Sequence, residues 1–222
     1  MLDYHGEGPR VLTFDTECRP LSYMGSDYTT GEVTAIAWAW NDTPEIIHSF
    51  VLGIRCQHVV DDPTNGGEKL CDRYHFGDSP QDMLGAFWDA FNAADLVTGH
   101  YIRGFDLPVV NGAMFDHLYA TLPDKLTSDT KLDLLKTKYI SASQENLAAA
   151  LGLVHPKVSM NQQKWREANR LTIPGLDLTR ERVEGDVRQH MELRDTLIDL
   201  DWLGPPKRWT PMPGGGSTKY RP

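Results

Sequence analysis

The stretch Val11-Leu12-Thr13-Phe14-Asp15-Thr16-Glu17 is a short apolar run that ends on two acids. Its length and its strand-forming residues read as a β-strand rather than a helix. Side chains alternate across a strand, so Asp15 and Glu17 project from one face and set two oxygen donors side by side. Working outward, Val33 to Trp40 and Ile46 to Leu52 are two more strand candidates, separated by the turn residues Asn41-Asp42-Thr43-Pro44. Together the three runs predict an antiparallel meander.

Residues 53–78 break the pattern around Asp61-Asp62-Pro63-Thr64-Asn65-Gly66-Gly67 and read as an insertion loop. Ser79-Pro80-Gln81-Asp82 then has a helix start, with a capping Ser, Pro at the first helical position and an early acid. Leu96-Val97-Thr98 is a short strand, and Asp106-Leu107-Pro108 opens a helix bearing Val110, Ala113, Met114 and Leu118 on one face. Ser143 begins another helix that Gly152 ends, and a last amphipathic helix runs from about Leu178 to Leu200. Residues 1–209 therefore read as one α/β domain, a mixed sheet flanked by helices, and 210–222, with Gly214-Gly215-Gly216, as a flexible tail.

The chain of 222 residues is 40% apolar, enough for one sizeable core. It has no apolar run long enough to span a membrane and no signal-like start, and its three cysteines suit a reducing compartment, so a cytoplasmic setting is expected. A formal charge of −9 argues against non-specific coating of nucleic acid, which rests on Lys and Arg. It is compatible with an enzyme that meets phosphodiesters through divalent cations held by carboxylates.

On its own, Asp15-Thr16-Glu17 describes a solvated strand end as well as a ligand pair. A second element changes its weight: Gly99-His100-Tyr101-Ile102-Arg103-Gly104-Phe105-Asp106-Leu107-Pro108 sets an acid at a loop-to-helix junction. FDTE followed by GHYIRGFDLP resembles the first two motifs of the DEDD superfamily of 3′→5′ exonucleases, in particular bacteriophage-type stand-alone or polymerase-associated members. The resemblance implies an RNase H-like fold, with three antiparallel strands joined by parallel ones. It also implies hydrolysis of single-stranded DNA from its 3′ end to nucleoside 5′-monophosphates. Two Mg²⁺ or Mn²⁺ ions would be held by Asp15, Glu17, Asp106 and a fourth carboxylate. RNA is the alternative substrate, and a catalytically silent nucleic-acid binder is the alternative role. Family members commonly have Asn where this chain has Tyr101.

The family's third motif supplies the fourth carboxylate from a late helix, with a Tyr four residues before it or a His five residues before it. Asp195 has His190 at the second spacing, whereas Asp186 has Arg182 where Tyr is expected. A helical projection at ~100° per residue favours Asp186, because it sits at the edge of the Val183, Val187, His190 and Leu197 face. Asp195 falls with Arg188, Glu192 and Asp199 on the polar side. His190, one turn after Asp186, is the candidate general base. Tyr101, Arg103 and Phe105 are candidate nucleic-acid contacts by stacking and phosphate pairing.

Two further features stand apart. Cys56, His58, Cys71 and His75 bring a zinc-type donor set into the insertion, although C-x-H and C-x₃-H are unusual spacings. Asp129-Thr130-Lys131-Leu132-Asp133 is similar to the segment after the second motif in phage and polymerase-associated members, with a structural role as the plainer account.

Overall fold

A computed structural model describes residues 8–20, 31–64, 66–135, 140–155 and 158–211. The expected glycine-rich tail from Met212 onward lies outside the described residues. The elements in chain order are β1 (Val11–Pro20), β2 (Gly31–Trp40), β3 (Thr43–Val51), β4 (Ile54–Arg55), β5 (Val59–Asp61), β6 (Glu68–Leu70) and β7 (Tyr74–His75). There follow α1 (Pro80–Ala93), β8 (Leu96–Gly99), α2 (Asp106–Leu118), β9 (Lys125–Asp129), α3 (Gln144–Leu151), α4 (Gln162–Asn169), α5 (Ile173–Asp199) and β10 (Lys207–Trp209).

The main sheet has the order β10-β9-β8-β1-β2-β3. The β1-β2-β3 meander is antiparallel, β8 and β9 add in parallel to β1, and β10 closes the far edge antiparallel to β9. This is an RNase H-like α/β fold, a mixed sheet with helices on both faces.

β2 explains how the two faces differ. Its sequence alternates large and small, with Ile36, Trp38 and Trp40 on one side and Ala35, Ala37 and Ala39 on the other. The large side packs with Leu12 and Phe14 against Met83, Leu84, Phe87 and Phe91 of α1 and Leu107, Val110 and Met114 of α2. The alanine side makes room for α5, which seats Leu176, Val183 and Val187 there. Burying a side chain of this kind contributes ~1.5–3 kcal/mol, so these two layers set which face each strand presents.

Helix starts follow local chemistry. The Ser79 hydroxyl accepts from the Asp82 amide at 3.1 Å, and the Ser143 hydroxyl from the Asn146 amide at 3.3 Å. Gly152 ends α3 in the left-handed region. α5 begins at Ile173, earlier than the apolar pattern implied, because Thr172 caps it. Residues 53–78 are not an irregular loop. They form a two-stranded antiparallel ribbon, β4 with β7 and β5 with β6.

Candidate metal centre

Register decides which carboxylates meet. Asp15 stands opposite Ala37 and Glu17 opposite Ala35, so both acids belong to the alanine face on which α5 lies. Asp186 is on the buried side of α5. One oxygen from each of Asp15, Glu17 and Asp186 lies within 4.8 Å of the others. A β-bulge between Glu17 and Cys18 bends β1 just beyond the pair.

Asp106 approaches from the other side. Thr16, opposite Ile36, points to the face covered by α1 and α2, and its hydroxyl hydrogen-bonds Asp106 Oδ1 at 2.5 Å. The three-acid group thus forms without Asp106, although all four acids line one cleft of ≈ 350 Å³. Burial pushes the Asp106 carboxyl up to about 6, with the Thr16 hydrogen bond opposing it. The Cys18 thiol is pushed up to about 12, first by burial and then by the charges of Asp106, Glu17 and Asp15.

Arg182 stands one turn before Asp186. Its Nε lies 3.1 Å from Glu17 Oε1 and 3.0 Å from Asp186 Oδ2, and its Nη1 donates to the Val158 carbonyl at 2.6 Å. The position where the third motif would carry Tyr therefore holds a cation bound to two of the three acids. Gln144, buried at the start of α3, donates to the Asp186 carbonyl and fixes that turn.

The other expected residues separate cleanly. Asp195 is exposed and paired with Arg194, so the spacing of His190 to Asp195 does not build a site. His190 is 1% exposed and does not line the cleft; burial, then the nearby His100 and Arg194, push its pKa down to about 3. Its ring is buried off the cleft lining, so the structure does not set it among the acids where the general-base expectation places it. Arg103 is also corrected: its guanidinium makes a bidentate pair with Asp133 at 2.6 and 2.8 Å, leaving it turned inward rather than toward a nucleic acid. Tyr101 and Phe105 do line the cleft and are exposed at 37% and 46%. Tyr101 has φ 69°, and Lys131 Nζ sits 3.9 Å from its ring centre. Asn tolerates that backbone region better than Tyr does, which matches the residue common in the resembled motif.

The sequence reading did not single out His100, Lys131 or Glu145, which line the cleft too. His100 Nδ1 is 3.0 Å from Thr130 Oγ1. Asp129 underlies them, accepting the amides of Tyr101, Arg103, Lys131 and Leu132 at 3.0 Å each. The signal was present in GH and DTK but took its meaning only from the contact between their loops.

No family model and no curated protein matches the chain. Among solved structures, the chain is similar to the family B DNA polymerase from the hyperthermophilic archaeon Pyrobaculum calidifontis. The TM-score is 0.55 at 17% identity, over 86% of this chain and 25% of that one. The chain spans about a quarter of that polymerase, and the likeness is one of fold. No helix among the described residues is long and apolar enough to cross a membrane.

Proposed function

We propose that this protein is a metal-dependent 3′→5′ exonuclease that removes nucleoside 5′-monophosphates from the 3′ end of single-stranded DNA. The observation that supports the reading is the meeting of Asp15, Glu17 and Asp186 within 4.8 Å, with Asp106 on the same cleft. An all-oxygen, carboxylate-rich donor set fits Mg²⁺ or Mn²⁺, and like charges so close favour a cation among them. Asp15, Glu17 and Asp186 would hold the metal, and Asp106 would join from the Thr16 side. Bound ions of this kind supply an activated water and neutralise charge at the leaving oxygen.

The chain's own groups do the rest. Tyr101 and Phe105 offer ring faces at the rim on which terminal bases stack, and Lys131 meets a phosphate. His100 is the cleft imidazole placed to take a proton, in place of the buried His190.

One observation favours a second reading, binding without cleavage: Arg182 already neutralises Glu17 and Asp186. The two separate in an assay of 5′-labelled DNA and RNA strands with Mn²⁺ or Mg²⁺. The nuclease reading expects a ladder of 3′-shortened DNA, abolished by Asp15→Ala with the melting temperature retained. Full activity in Asp15→Ala would overturn the mechanism, faster cutting of RNA would reassign the substrate, and binding without cleavage in every metal would favour the second reading.

A further inference from the structure

We propose that the ribbon spanning residues 53–78 holds a structural zinc ion through Cys56, His58, Cys71 and His75. The registers of β4 with β7 and β5 with β6 are in phase. Ile54 faces His75 and Val59 faces Leu70, and between them Cys56 N donates to Arg73 O and Cys71 N to His58 O, each at 2.8 Å. Residues directly opposite in an antiparallel pair share a face, and so do residues two apart on one strand. Cys56, His58, Cys71 and His75 therefore all project from one face of the ribbon. They line one cavity of ≈ 530 Å³ there.

Side-chain geometry already begins the site. Cys56 Sγ and His58 Nδ1 are 3.3 Å apart. One sulfur and one nitrogen on a tetrahedral zinc, at 2.3 and ~2.05 Å from it, are about 3.5 Å apart. Among the described residues only the acidic group brings three donors within 4.8 Å, so ligation requires Cys71 and His75 to rotate inward. His75 is exposed and Cys71 half-buried, and neither is wedged in a core.

Energetics give the metal a task. A two-stranded ribbon alone is marginal in water. This one has no apolar core of its own, since Val59, Val60 and Leu70 are 57%, 38% and 45% exposed. Its root is pinned by Gly77, where a Cβ would stand 2.4 Å from the Val51 carbonyl oxygen. Beyond that root the ribbon rests on its backbone pairs and on exposed ion pairs such as Lys69 with Asp72 at 2.8 Å, and a Cys₂His₂ zinc would add a crosslink between its strands. Two thiolates also cancel the charge of the ion, so burial of the cluster leaves no net charge.

The test uses the full chain and the metal alone. Protein reconstituted with zinc and dialysed should retain one ion per chain by elemental analysis. Cobalt in its place should show thiolate-to-metal charge transfer and tetrahedral d–d bands. The Cys56→Ser/Cys71→Ser double variant should lose both signals, while Asp15→Ala/Asp186→Asn keeps them. Chelation of the wild type should speed limited proteolysis within the two strands of the ribbon, around Cys56 and Cys71, a readout independent of nuclease activity and of the variant's folding. Zinc retained by the double cysteine variant but lost from the carboxylate variant would overturn the proposal. So would a reconstituted wild type without zinc, or a Cys56–Cys71 disulfide in its place.

Discussion

Arg182 is where the candidate site departs furthest from a bare acidic cluster. Its Nε bridges Glu17 and Asp186, so a guanidinium supplies part of the charge that a divalent ion held by the same acids would supply. Removing one partner of a buried ion pair costs about 3 kcal/mol, because the acids are left unopposed. Arg182→Gln should therefore lower the melting temperature without divalent ions. A bound cation stabilises the state that binds it, and the variant has lost the internal competitor. Its thermal shift on adding Mn²⁺ should exceed that of the wild type, measured by scanning fluorimetry over a metal titration. Equal shifts would mean that the metal and Arg182 do not share the carboxylates. At this scale the sequence was legible where a side chain's partners are near in sequence or its face is set by periodicity. The projection of α5 put Asp186 on the inner face and Asp195 on the outer one. The structure buries the first beside Asp15 and Glu17 and exposes the second, because a helical face records burial. The same projection put His190 on the inner face but could not tell a core histidine from one at a cleft, which depends on what packs against it from other elements.

Elements decide how the acids and aromatics are presented. The alternation in β2, with alanines on one side and Ile36, Trp38 and Trp40 on the other, assigns Asp15 and Glu17 to the α5 face and Thr16 to the α2 face. The strand pair was legible from the first run alone, but the separation of Asp106 was not, since it needs the register of β1 on β2. Likewise β9 was missed because Thr127, Ser128 and Asp129 are polar yet buried, their burial supported by hydrogen bonds such as Thr127 Oγ1 to the Lys207 carbonyl at 2.8 Å. The ribbon was missed because its pairing is exposed and carries no apolar period. The loop between β8 and α2 offers a test at this scale. A Cβ on Gly104 would stand 2.4 Å from two atoms of the Tyr101 ring, a side-chain end that can turn away. Gly104→Ala should thus displace the ring and leave the fold within about 1 kcal/mol of wild type. A base stacked on an aromatic ring is worth ~1–3 kcal/mol. KM for a short DNA strand should rise about tenfold with kcat held, and an unchanged KM would remove Tyr101 from the substrate platform.

For the whole molecule, three buried groups set the response to acid, with opposite signs. His190 titrates near 6.5 in the unfolded chain and at about 3 in the fold, so between those values the unfolded chain binds more protons. Its contribution to stability is complete above about pH 6.5 and is lost as the pH falls below it. Asp133 acts in the same direction at lower pH. Burial opposes its ionisation, but hydrogen bonds from Arg103 and Lys207 and from the Asp129 amide hold its carboxyl below the ordinary value of 3.8. Asp106 acts in reverse: with its folded value raised to about 6, the fold binds more protons than the unfolded chain, and stability falls as pH rises from about 4 to 6. The His190 and Asp106 contributions therefore oppose each other between pH 4 and 6, and a difference between proteins isolates one group. The margin of wild type over His190→Leu should be constant above pH 6.5 and shrink steadily below it, read as the gap between urea midpoints. Because His190 is 1% exposed and does not itself line the cleft, the same variant should match the wild type at neutral pH in the strand-shortening assay of the proposed function. A pH-independent gap would remove the buried neutral histidine from the acid response. A well-folded variant without activity would return His190 to the chemistry.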